Sequence, residues 1–167
     1  MPTDILGLFA LLESARLRYV LVGGLALVLH GIDRLTADVD LAVDLSPEES
    51  LRLIGTLDEA GYRPTVPVDP RQLADAAVRE SWYRDRNMRV FSYWDSTGAR
   101  PTIDIFIASP ISFEELWQHS QRIEIGKGLL VPVASIAHLI RLKELAGRPQ
   151  DLIDIDRLRA VQEAREP

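Results

Sequence analysis

The sequence predicts an α+β protein, a small mixed sheet with helices packed mainly on one face and an acidic site on the other. Three observations carry that prediction. Helix-period segments with capping residues alternate with short strand-like runs throughout the chain. Val39, Leu41 and Val43 alternate with Asp38, Asp40 and Ala42, the pattern of a strand with one apolar and one acidic face. Finally, "MRVFSYW" and "PTIDIFI" flank the turn-rich "DSTGAR", as an antiparallel hairpin does.

Taken in order, Thr3 or Asp4 can cap a first helix whose Ile5, Leu8, Leu11 and Leu12 recur at helical spacing, ending before Arg18. Tyr19 to Val22 reads as a short buried strand broken by Gly23-Gly24, with a helix from Leu25 to His30 stopped by Gly31. After the acidic strand, Ser46 as N-cap, Pro47 at the first helical position and Glu49 placed for a capping box predict a helix from Pro47 to Ala60. Gly61 ends it. Tyr62 to Val68 reads as extended, and Asp69-Pro70 opens a helix through about Glu80.

The hairpin comes next, with Ile103, Ile105 and Ile107 facing one way and Asp104 the other. Phe113 to His119 is predicted helical, and "RIEIGKGLLVPV" is a second hairpin turning at Gly126-Lys127-Gly128. Ser135 caps a helix through Leu145, closed by Gly147 and Pro149. Asp151 then starts a last helix carrying Ile153, Ile155 and Leu158.

Length and composition bound the possibilities. At 167 residues, 47% of them hydrophobic, the chain fills one core, so a single domain over 1–167 is expected. There is no cysteine, which removes disulfides and thiolate metal sites and suits a reducing, cytoplasmic setting. The N-terminal stretch lacks the basic start and cleavage site of a signal peptide, and the longest uncharged run, Tyr19 to Ile32, is too short to span a bilayer, so no membrane partner is expected. A net charge of −6 argues against wrapping nucleic acid by bulk electrostatics.

The chemistry concentrates in the acidic strand. Carboxylates at i and i+2 stand on one face roughly 7 Å apart and repel one another unless a cation lies between them. Hard oxygen donors suit Mg²⁺ or Mn²⁺, and Asp104 on a neighbouring strand would complete a three-carboxylate set able to seat two ions about 4 Å apart, the clamp used for in-line displacement at phosphorus. Gly23-Gly24, at a strand-to-helix turn, removes Cβ atoms and lets backbone N–H groups approach phosphate. Together these pieces address a metal-bound nucleoside triphosphate.

"VGGLALVLHGIDRLTADVDLAV", followed by "TIDIFI", resembles the nucleotidyltransferase superfold related to DNA polymerase β. "RLTADVDL" and "LIRLKELAGRPQDLIDIDRL" resemble, more narrowly, the small bacterial AbiEii-type toxin nucleotidyltransferases. The resemblance implies that Asp38 and Asp40 hold the metal bridging the triphosphate, and that Asp104 completes the second metal site and helps deprotonate the attacking hydroxyl. It further implies that Gly23 and Gly24 cradle phosphates while Arg34, Thr36 and Lys143 contact them, with Arg148, Asp151 and Asp154 nearby. Longer AbiEii-type enzymes carry an additional helical domain, for which a chain of this length has no room.

Each residue also has a structural reading. Lys143 is either a phosphate contact or an exposed helix lysine; Asp151 caps its helix, and Asp154 pairs locally with Arg157. His30 and His138 are expected to pack on apolar helices; Trp82, Tyr83, Tyr93 and Trp94 have the faces to stack on a base, but core packing is the expectation for each. The resulting expectation is a metal-dependent enzyme moving a nucleoside monophosphate from a triphosphate to a hydroxyl of RNA, protein or a small molecule, in a toxin–antitoxin or phage-defence setting. The alternative is an inactive copy of the fold acting as an antitoxin-type interaction protein. A cognate antitoxin or other partner protein is expected in either case. The acceptor is expected beside Asp69 to Arg89, where Arg71, Arg79, Arg84, Arg86 and Arg89 surround Trp82 and Tyr83.

Overall fold

A computed structural model describes residues 4–167. Thr3, one of the two expected caps, lies outside the described residues; Asp4 fills the role, accepting a 2.7 Å hydrogen bond from the Gly7 amide at the start of α1 (Ile5–Ser14). Strand β1 (Tyr19–Val22) leads into α2 (Gly23–Leu29), which is followed by β2 (Val39–Val43), α3 (Pro47–Glu59) and β3 (Tyr62–Pro64). A 3-10 turn (Pro70–Ala74) and α4 (Ala76–Arg86) precede the hairpin β4 (Val90–Asp95) and β5 (Ile103–Phe106). Then come α5 (Phe113–Gln118), the hairpin β6 (Gln121–Ile125) and β7 (Leu129–Val133), α6 (Ile136–Ala146) and α7 (Pro149–Arg165).

The strands form one mixed sheet in the order β3-β4-β5-β2-β1-β7-β6. Strand β2 sits between β1, antiparallel, and β5, parallel, which places the acidic strand at the centre of the sheet. One face is apolar along a continuous row: Val133 pairs with Leu21, Leu21 with Leu41, Leu41 with Ile105 and Ile105 with Phe91. All five are fully buried. At about 1.5–3 kcal/mol per fully buried side chain, this row fixes the register, because a one-residue slip would turn it to the opposite face and bring the aspartates inward.

Several local expectations need correction. The helix expected from Asp69 is two pieces, since Asp75, extended at φ −95°, interrupts the chain and uses its carboxylate to cap α4 through the Ala77 and Val78 amides. No capping box closes α3: the Ser46 side chain makes no capping bond, Ser46 N–H donates to Asp44, and Glu49 accepts from Arg52 instead. Helix α2 begins at Gly23 rather than Leu25, and the last helix begins at Pro149, with Asp151 as its third residue bonded back to the Arg148 amide.

Candidate active site

Asp40 and Asp104 are register partners on the parallel strands β2 and β5, so their side chains emerge side by side from the face opposite the apolar row. Both are half-buried. Asp38 lies just ahead of β2, not inside it, and is exposed. The expected single strand carrying both carboxylates is therefore a strand carrying Asp40 with Asp38 at its entrance.

The glycine pair has a job that the sequence did not show. Gly23 has φ +70°, and a Cβ built on it would come within 2.1 Å of Asp40 Oδ2. The missing side chain is what makes room for the carboxylate. The Gly24 backbone amide favours the ionised form of Asp40 by hydrogen bonding, and a Cβ on Gly24 would meet Thr36 Oγ1 at 2.9 Å. Burial, then the neighbouring charges of Asp104 and Asp38, outweigh that help and push the Asp40 carboxyl up to about 6. On the other side, the Ser92 hydroxyl, register partner of Asp104 on β4, donates to Asp104 Oδ1.

A buried ionic cluster stands behind this pair. Lys143 is only 8% exposed and lies 2.8 Å from Asp154 Oδ2 and 3.2 Å from Asp151 Oδ1. It is therefore not an exposed helix lysine. Asp154 pairs with Lys143 and with Arg34 across the fold and accepts from Gln150, while Arg157 donates to the Asp33 carbonyl, so the expected local Asp154–Arg157 pair is absent. Arg148 donates from Nε to Asp151 at 2.9 Å. Burial pulls the Lys143 ammonium below its ordinary value despite its two carboxylates. Burial alone would raise Asp151, but hydrogen bonds from Arg148 and Lys143 outweigh it and hold that group below the usual carboxylate range. Three cations against two anions leave the cluster with excess positive charge, and both Lys143 and Arg148 feel the charge of Asp40.

Thr36 is exposed, with its hydroxyl donating to the Asp38 carbonyl at 3.3 Å. His30 is buried, with Nε2 2.8 Å from the Ala134 carbonyl oxygen, and His138 lies between Ser135 and Glu115. Among the four aromatic side chains expected in the core, Trp82 and Tyr93 are buried, but Tyr83 and Trp94 are exposed. The arginines of the 69–89 segment are largely occupied locally: Arg71 pairs with Asp69, Arg84 with Asp85, and Arg79 donates to the Leu73 carbonyl. Among the described residues, no three His, Cys, Asp or Glu side chains already converge as a metal cage.

A family model described as "Nucleotidyl transferase AbiEii toxin, Type IV TA system" matches residues 8–166. The chain belongs to the AbiEii nucleotidyltransferase family. Among solved structures, it is similar to the lincosamide antibiotic adenylyltransferase LnuA bound to lincomycin, at TM-score 0.61 and 16% identity over 94% of this chain and 95% of that one. It is also similar to ANT(2")-Ia in complex with adenylyl-2"-tobramycin, at TM-score 0.57 and 18% identity over 92% of this chain and 84% of that one. At these identities the likeness establishes the nucleotidyltransferase fold. A comparison with curated protein sequences finds no match. No helix among the described residues is long and apolar enough to cross a membrane.

Proposed function

We propose that this AbiEii-family nucleotidyltransferase uses a divalent metal ion, Mg²⁺ or Mn²⁺, to move a nucleoside monophosphate from a nucleoside triphosphate to an acceptor hydroxyl. The observation that carries the reading is the in-register pair Asp40 and Asp104, with Gly23 cleared to admit one carboxylate and Ser92 holding the other. The residues fit such an ion: their donors are hard carboxylate oxygens, and the Asp40 carboxyl is pushed up by neighbours whose repulsion a cation would relieve. Mg²⁺ commonly takes one or two carboxylates plus substrate phosphates, so a closed protein cage is not required. Asp38, Asp40 and Asp104 would hold it, and the bound ion would neutralise these charges and polarise the phosphorus under attack.

The chain's own residues supply the rest. In the reaction, a bond forms between the acceptor oxygen and the α-phosphorus while the bond to the β-phosphate bridging oxygen breaks, releasing pyrophosphate. Asp104 takes the acceptor proton and passes it to water. The Ser92 hydroxyl positions that carboxylate. Gly23 and Gly24 keep the approach open, Arg34 and Thr36 flank Gly24, and Lys143, buried behind them, would act on phosphates through the positive excess of the α6–α7 cluster, which favours a polyanionic ligand. We take residues 1–167 to act as one catalytic domain in the cytoplasm, with a cognate antitoxin as a partner. Calorimetric titration with Mn²⁺ and a non-transferable triphosphate tests the site: Asp40→Asn with Asp104→Asn abolishes binding, and unchanged affinity would remove the assignment.

A further inference from the structure

Strand β4 alternates cleanly. Phe91, Tyr93 and Asp95 are buried on the apolar side, whereas Val90, Ser92 and Trp94 point to the acidic side. Trp94 is 47% exposed there, an unusual place to leave an indole uncovered. It stands two residues along β4 from Ser92, the register partner and hydrogen-bond donor of Asp104. That makes Trp94 a diagonal neighbour of Asp104, roughly 7–8 Å away between backbones and within reach of a large side chain. Its cross-strand neighbour on β3, Arg63, does not cover it: the Arg63 guanidinium turns back to Asp58, 2.9 Å from Oδ1, and to the Tyr62 carbonyl. No aromatic ring or guanidinium stacks on Trp94 among the described residues.

We propose that Trp94 is the platform on which the acceptor is held, and that the acceptor is a compact hydroxyl-bearing ring compound of neutral or positive charge. This rests on the active-site reading above and deepens it. A flat aromatic face beside the proton-accepting carboxylate holds a ring in contact while one of its hydroxyls lies toward Asp104. Charge selects against a long polyanion. The chain carries −6 overall, Arg63 beside the platform is turned to Asp58, and in the 69–89 segment Arg71, Arg79 and Arg84 are engaged with its own residues. A positively charged ring gains further from the indole face. The arginine segment expected from sequence is thereby replaced as the acceptor surface.

The experiment uses the full chain with Mg²⁺ and a saturating non-transferable triphosphate. Binding of three probes is measured by saturation-transfer NMR and fluorescence titration: tobramycin as an amino-sugar, maltose as a neutral sugar, and a short oligoribonucleotide with a free 3′-hydroxyl. At least one sugar probe is expected to bind, with Trp94→Ala weakening it about five- to thirtyfold, the range of one to two kcal/mol. Trp94→Phe should recover most of that loss, and triphosphate affinity should be equal in all three proteins. Arg84→Glu with Arg86→Glu should leave sugar binding unchanged. Tighter binding of the oligoribonucleotide, no sugar binding at all, or equal binding by Trp94→Ala would each overturn the proposal. Loss of triphosphate binding in the wild type would instead sink the active-site reading, so the two failures are distinct.

Discussion

Replacing Lys143 by methionine removes a charge and keeps most of the volume, which isolates the role of the buried cluster. The ammonium is 9% exposed at its side chain and contacts Asp154 at 2.8 Å and Asp151 at 3.2 Å. Removing one partner of a buried pair costs about 3–5 kcal/mol when the other is left alone. Here neither carboxylate is left alone, because Arg34 and Gln150 stay with Asp154 and Arg148 stays with Asp151. Desolvation already weighs against the ammonium, which relieves part of the loss. The expected cost is therefore about 2 kcal/mol, below the orphaned-charge range. For a chain of this size that lowers the melting temperature by roughly 4–8 °C. Urea unfolding at pH 7.5 measures the free energy directly, and the slope of the transition should not change. Adding Asp154→Asn should cost less in the Lys143→Met background than alone, since the two share one network. A Lys143→Met protein within about 0.5 kcal/mol of wild type, the range of ordinary surface substitutions, would refute the claim that this lysine ties α6 to α7.

Two further outcomes follow from the acidic site. Asp40 titrates at about 6 in the fold against an ordinary 3.8, so between those values the folded state holds the extra proton, and metal-free stability falls as pH rises through 6. The full difference corresponds to about 3 kcal/mol, of which a little under half falls between pH 5 and 7.5; comparing urea stability at those two pH values in chelator should show a loss of about 1.4 kcal/mol in wild type and none in Asp40→Asn. Gly23→Ala places a Cβ within 2.1 Å of Asp40 Oδ2 at a φ of +70°; it should destabilise by about 1–2 kcal/mol and lower transfer by more than tenfold, and a fully active Gly23→Ala enzyme would show that the carboxylate does not need that space.

The elements that positioned the site were legible because their signals are local. Alternation in "DVDLAV" and "TIDIFI" gave both strands, and the hairpin around "DSTGAR" supplied β4 as the neighbour of β5. What sequence could not give was which strands become neighbours across long connections. The in-register pairing of Asp40 with Asp104 joins β2 to β5 through some sixty residues, and Arg34 meets Asp154 from the far end of the chain. Capping was misread at Glu49, where Arg52 offered a better partner than the Ser46 amide. Trp94 was assigned to the core by its type, yet its parity along β4 with Ser92, opposite to Phe91 and Tyr93, was already in the sequence and would have set it on the acidic face.

The central claim, nucleotidyl transfer at the Asp40–Asp104 pair, is tested most directly by the position of the label. Wild-type protein is incubated with Mg²⁺, cell-derived acceptors and each nucleoside triphosphate labelled at either the α- or the γ-phosphorus. The account predicts that α-label becomes attached to acceptor while γ-label leaves entirely as pyrophosphate, both abolished by Asp40→Asn. Acceptor carrying γ-label, or α-label transferred undiminished by Asp40→Asn, would contradict it.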